Sequence, residues 1–173
     1  MNLFVTAKIN KLWLLVAVCI ALQIAGCSIV SVETAPNNII IPQIGIVGCE
    51  IGNPVEHFYA SFGGVREKEY VLSYETGVEA LIEDEKIRTL FFHYQGKKFN
   101  RFRGKTNKGI GSDSAIRDVI EAYGRPTRIG ESIISQYGPL PGAMEKLIEY
   151  DDKGISFSFW NDRLATVIVH RAI

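Results

Sequence analysis

One stretch of this chain is written twice. Gly77-Val78-Glu79-Ala80-Leu81-Ile82 and Gly154-Ile155-Ser156-Phe157-Ser158-Phe159 each open on glycine and carry apolar residues at the first, third and fifth positions after it. Lys86-Ile87-Arg88-Thr89-Leu90-Phe91-Phe92-His93 then matches Arg163-Leu164-Ala165-Thr166-Val167-Ile168-Val169-His170, and no gap separates the two runs from Gly77/Gly154 to His93/His170. Alternating apolar residues are common to all half-buried strands. The matched glycine, basic residue, threonine and histidine do not follow from alternation. A repeat restricts the fold to one local arrangement used twice. A single unit of this size is marginal alone, whereas two side by side build a credible core.

Each half is predicted to begin with a short helix. In the first, Asn53 stands as cap, Pro54 at the first helical position and Glu56 three residues after the cap. Val55, Phe58, Tyr59 and Phe62 fall on one helical face, and Gly63 ends the run. In the second, Ser112 or Ser114 caps, and Ile116, Val119, Ile120 and Tyr123 repeat the spacing. Gly124 then stops the helix before Pro126. After the second helix, Ile155, Phe157 and Phe159 alternate with Ser156, Ser158 and Trp160, and Asn161-Asp162 signals a turn into Leu164–His170. The expected fold class is therefore α+β: two tandem helix-plus-antiparallel-meander units of about three strands each, helices packed on one face of the sheet.

The N-terminus reads as a targeting segment. Lys8 and Lys11 precede the apolar run of residues 12–24, which is shorter than the roughly 20 residues a spanning helix needs. Ala25-Gly26-Cys27 follows directly. Ile24-Ala25-Gly26-Cys27 resembles the lipobox of bacterial lipoproteins. That resemblance implies cleavage before Cys27 and acyl chains on it, so that two or three chains hold the protein stably on a bilayer. Ser28, by resemblance to lipoprotein sorting, implies the periplasmic face of an outer membrane, or a cell-membrane lipoprotein in a host without one. The expected organisation is a signal peptide over 1–26, lipidated cysteine and tether over 27–38, a first repeat unit over 39–96, a connector over 97–109 and a second unit over 110–173. With Cys19 removed and Cys27 acylated, Cys49 is the remaining thiol, expected as a small buried apolar residue.

A second resemblance covers roughly residues 45–173. Ile110-Gly111, the capped helix, Tyr123-Gly124-Arg125-Pro126, Tyr150, Gly154-Ile155-Ser156-Phe157 and the closing apolar strand resemble a unit of bacterial envelope lipoproteins. BamE-type (SmpA-type) outer-membrane assembly lipoproteins and the tandem-repeat beta-lactamase inhibitor protein share that unit at the level of fold. BamE-type proteins carry one copy with more helix before it, whereas this chain carries two, so the resemblance transfers no specific assembly role.

The residues carry no local catalytic motif. There is no G-x-S-x-G run, and Gly104-Lys105-Thr106 lacks the earlier glycine of a phosphate-binding loop, with Phe99 in its place. His57, His93 and His170 have no Cys or His neighbours at ligand spacing, so neither a metal nor any other cofactor is expected. Glu83, Asp84 and Glu85 read as a solvated hairpin tip. Lys97, Lys98, Arg101, Arg103, Lys105 and Lys108 interleave with Phe99 and Phe102, as in a connector whose phenylalanines face the core and whose charges face water. The same pattern suits anionic headgroups. The chain holds 19 basic and 19 acidic residues. Removal of Lys8 and Lys11 leaves it slightly acidic, with no global pull toward nucleic acid.

The halves differ in one element. Gly124 and Tyr150 are separated by a long segment, Ile133 to Gly142 included, that the corresponding Gly63 to Tyr74 interval lacks. Tyr137 and Leu140 there are large apolar groups between turn residues, and Pro139 and Pro141 stiffen the loop. They are the expected partner-binding residues. The expected protein is thus a non-enzymatic envelope lipoprotein that binds or scaffolds another envelope protein. A periplasmic small-molecule or lipid-binding module, or a hydrolase without a local motif, are the alternatives.

Overall fold

The computed structural model describes residues 38–173. The chain begins with β1 (Ile39–Ile40), β2 (Gly45–Ile46), β3 (Cys49–Glu50) and helix α1 (Glu56–Phe62). It continues through β4 (Val65–Glu67), β5 (Tyr70–Ser73), β6 (Val78–Glu83), β7 (Lys86–His93) and β8 (Lys105–Thr106). Helix α2 (Ile116–Tyr123) leads to β9 (Arg128–Ile133) and β10 (Met144–Tyr150), and a 3-10 turn at Asp151–Lys153 precedes β11 (Ile155–Trp160) and β12 (Arg163–Val169). Eight strands form one antiparallel sheet in the order β4-β5-β6-β7-β12-β11-β10-β9. β1 and β8 pair in parallel, and β2 pairs with β3 in antiparallel fashion.

This architecture corrects the expected α+β class. Strand accounts for 42% of the described residues and helix for 13%, and the dominant object is one eight-stranded sheet, not two helix-plus-meander units with helices laid over a sheet face. The physical reason lies at the seam. β7 and β12 are edge strands of their own hairpins, with unpaired N–H and C=O groups, and joining them satisfies both rows at once. The helices are too short to cover such a sheet. α1 buries Phe58, and α2 buries Val119 and Tyr123. Gly63 and Gly124 stop them as expected, each N–H returning to a carbonyl four residues back, at Tyr59 and Ile120. The starts differ. Neither helix has a side-chain cap bond at its first residue, and in α2 the Ala115 N–H instead donates to the Asp118 carboxylate at 2.9 Å.

The repeated sequence does fold into repeated hairpins. Gly77 and Gly154 both have positive φ, 73° and 57°. The His93 N–H donates to the Gly77 carbonyl at 2.8 Å, and the His170 N–H to the Gly154 carbonyl at 3.1 Å. The strand register shifts between Leu81 and Ile82 in one hairpin and between Ser158 and Phe159 in the other, at the same step of the repeat. The tight turns at Asp84-Glu85 and Asn161-Asp162 both place two residues at positive φ, as a two-residue hairpin turn demands. Across the seam Phe91 pairs with Ile168, Phe92 with Val167 and Leu90 with Val169. Those pairs interchange under the repeat, so a local two-fold passes through the Phe91/Ile168 pair.

Directly paired residues share a sheet face. One face carries Val78, Ala80, Leu90, Phe92, Ile155, Phe157, Val167 and Val169, all fully buried. It packs with Ile40, Cys49, Phe58, Phe102 and Tyr123 into the main core. Tyr94 and Tyr150 lie within this core, their hydroxyls donating to the carbonyls of Gly104 and Gly124.

Burial pushes the Cys49 thiol up to about 12, with the Glu50 charge adding to it. Burial likewise raises Tyr94, Tyr123 and Tyr150 above the usual phenol range. Unfolded, these groups ionise near pH 8.5 for cysteine and about 10 for tyrosine. Above those values the unfolded state has lost protons that the native state still holds, so stability falls as pH rises. The urea midpoint is expected to hold to about pH 8 and to drop steeply between about pH 9 and 11. Tyr94→Phe should make that drop shallower. An unchanged slope in the variant would remove Tyr94 from the account.

Candidate interaction surface

The face opposite the core carries Glu79, Phe91, His93, Ser156, Ser158, Thr166 and Ile168, by the register of β6, β7, β12 and β11. A polar stripe crosses it. His93 Nε2 lies 3.0 Å from the Glu79 carboxylate, and the Thr166 hydroxyl lies 3.3 Å from His93 Nδ1. The Phe99 ring stacks on the imidazole at 4.3 Å between centroids and on Tyr74 at 5.4 Å. Farther along, the Ser158 hydroxyl and Trp160 Nε1 both donate to one oxygen of Glu145, at 2.7 and 3.3 Å. Hydroxyl, imidazole and carboxylate stand in the order of a nucleophilic relay. Thr166 is buried, however, and the trio joins three neighbouring strands as a cross-strand tie.

The loop between β9 and β10 rises from a closed base. The Ile134 N–H donates to the Ala143 carbonyl and the Gly142 N–H to the Ile134 carbonyl, both at 2.9 Å. A turn follows, with the Gly138 N–H on the Ser135 carbonyl. Tyr137 sits at 90% exposure. Leu140 turns inward and packs with Ile134, Ala143, Trp160 and Ala165 in a small second apolar cluster. The two expected binding residues differ in exposure: Tyr137 is open to solvent, whereas Leu140 is half-buried against the small apolar cluster. The supporting edge strand β9 is tied to β10 by the Arg128–Glu149 ion pair, which holds the Glu149 carboxyl below its ordinary range. Ile129 and Ile133 on that strand are exposed, Ile133 at 69%.

The two phenylalanines of the basic connector part: Phe99, expected to face the core, is half-buried and stacks on His93 and Tyr74 on the opposite face. Phe102 is buried against Phe92 and Tyr94, while Arg101, Arg103 and Lys105 are exposed. They border two cavities of about 1050 Å³ and about 430 Å³. Arg103, Ser112, Asp113 and Ser114 line both, so the cavities form one groove. Sequence reasoning missed this groove, although its signal, basic residues at every second position around a buried Phe102, was present.

The three histidines lie apart in their contacts. His57 Nδ1 is 3.2 Å from the Gly48 carbonyl, His93 meets Glu79, and His170 Nδ1 is 2.7 Å from the Arg171 carbonyl. Among the described residues no group of three or more His, Cys, Asp or Glu is placed to hold a metal. Cys27 and the rest of the expected signal and tether, apart from Asn38, lie outside the described residues. Among the described residues no helix is long and apolar enough to cross a membrane. Set against known proteins, the chain matches no family model, no curated protein and no solved structure.

Proposed function

We propose that this chain is a lipid-anchored, non-enzymatic bacterial envelope lipoprotein that binds another envelope protein. Acyl chains on Cys27 hold it on the periplasmic face of the outer membrane. The kinship proposed with BamE-type lipoproteins and the beta-lactamase inhibitor protein rests on short motifs, chiefly Tyr123-Gly124-Arg125-Pro126 and Gly154-Ile155-Ser156-Phe157. The observation that carries the binding role is Tyr137. A tyrosine at 90% exposure gains nothing for folding, and its loop is pinned at the base by backbone hydrogen bonds. Little entropy is then lost when a partner covers it, and a buried tyrosine is a frequent hot spot. A small-molecule module is the second reading, favoured by the cavity of about 1050 Å³.

A photo-crosslinking residue in place of Tyr137, in the full chain in intact cells, is expected to give one discrete adduct. Tyr137→Ala should leave thermal unfolding within about 0.5 kcal/mol of wild type, as for other exposed sites. Cys27→Ala protein should leave the membrane fraction. Absence of any adduct overturns the binding role, and continued membrane partition of the Cys27→Ala protein overturns the lipid anchor.

A further inference from the structure

Charged side chains of both signs line the groove beside the connector. Arg101 and Arg103 line the larger cavity together with Arg163, and Lys105 lines the smaller one with Arg103. Among the described residues none of these four cations has a carboxylate within ion-pair distance. Arg101, Arg103 and Lys105 occupy alternate positions and are exposed, whereas Phe102 and Thr106 are buried and Gly104 is half-buried. In an extended segment alternate side chains point the same way about 7 Å apart. Ser112, Asp113 and Ser114 line both cavities, and Glu75 and Asp162 line the larger one. Asp162 is already paired with Lys146, so among the described residues the four unpaired cations outnumber the unpaired carboxylates of Glu75 and Asp113.

We propose that this groove binds an extended acidic peptide segment, its alternate carboxylates meeting Arg101, Arg103 and Lys105. The alternation of these cations along the connector matches the alternation of side chains on one edge of such a segment. Guanidinium and carboxylate pair in fork geometry, which adds direction to the charge attraction. The peptide's own N–H groups supply donors for Asp113 and the serines, which a purely anionic ligand lacks. A flat anionic membrane surface fits less well, because the cations line a concavity and Asp113 stands within it. The proposal deepens the protein-binding reading by giving a partner's chemistry, but it uses a surface separate from Tyr137.

The test uses the full chain in neutral detergent and a dye-labelled, end-blocked heptapeptide with glutamates at positions one, three, five and seven separated by serines. An isomer with its four glutamates consecutive is the control. Fluorescence anisotropy is expected to show the alternating peptide binding about tenfold or more tighter than the isomer, with affinity falling as salt is raised. The exposed-site double variant Arg101→Gln/Arg103→Gln should weaken it by about tenfold or more, and Lys68→Gln should not. No binding overturns the proposal. So does equal affinity for the two isomers, or wild-type affinity in the double variant. Stronger competition from a soluble short-chain anionic phospholipid than from unlabelled peptide would reassign the groove to headgroups and equally overturn it. Tyr137→Ala should leave peptide affinity unchanged, so failure at one surface is read separately from failure at the other.

Discussion

Phe157→Ala is expected to lower the unfolding free energy by about 3–5 kcal/mol, the usual cost of truncating a buried phenylalanine. Phe157 is fully buried on the core face of β11, between Ile148 on β10 and Val167 on β12. Its ring meets Tyr123 of α2 at 5.2 Å and the edge of Tyr150 at 6.2 Å. Removing it empties the point where a helix and three strands converge, and close-packed neighbours relax only in part. Small domains hold about 5–15 kcal/mol in total, so the loss takes a large share of the stability. The melting temperature should fall by about 10 °C or more. Phe91→Ala, on the opposite face where the side chain is half-buried, should cost clearly less. Equal losses at the two positions would refute the assignment of the core to one face.

Gly77→Ala is expected to cost about 2–4 kcal/mol, against about 1 kcal/mol for Gly109→Ala. Both glycines have positive φ, 73° and 84°, so both substitutions incur the left-handed backbone penalty. Only Gly77 is also crowded. A Cβ there would overlap the Asn100 carbonyl oxygen and lie 2.8 Å from the Phe102 nitrogen, whereas at Gly109 it would meet no heavy atom within 4 Å. The clash would push the connector away from the start of β6 and loosen the wall of the groove. Gly154→Ala should behave like Gly77→Ala, because a Cβ there would meet the His170 carbonyl oxygen, 2.7 Å from Gln43 Cγ and 3.0 Å from the Ala172 nitrogen. Urea unfolding of the three variants gives the comparison. Equal costs at Gly77 and Gly109 would leave only the backbone term and remove the close approach from the explanation.

The repeated hairpins were legible in the amino-acid order because each depends on local chemistry. A glycine supplies the positive φ that starts the strand pair, Asp84-Glu85 and Asn161-Asp162 accept the turn, and alternation assigns each side chain to a face. Gly63 and Gly124 mark helix ends by the same kind of local rule. Phe102 facing inward with its basic neighbours outside follows from alternation as well, and so does the burial of Cys49 from its small apolar side chain. Where local signals compete, residue order alone does not place the helix start. Asn53, Ser112 and Ser114 are good caps, but the helices begin at Glu56 and Ile116, with Val55 and Ala115 in the cap positions.

Which edges meet was decided only by tertiary structure. Alternation states which face of β7 is apolar, but nothing within β7 names β12 as its neighbour. That pairing arises because it completes two rows of backbone hydrogen bonds and aligns Phe92 with Val167 and Leu90 with Val169 in one core. The merger turned two expected helix-covered units into one sheet. The site depended on the same nonlocal packing. Tyr137 and Leu140 are equally apolar in sequence, and only the position of Trp160 and Ala165 draws Leu140 inward and leaves Tyr137 outside. The groove likewise needs residues 75, 101–103, 112–115 and 162–164 brought side by side, stretches far apart along the chain. Local backbone preferences act over a few residues and can be read from their order, whereas a cavity exists only once distant segments have packed.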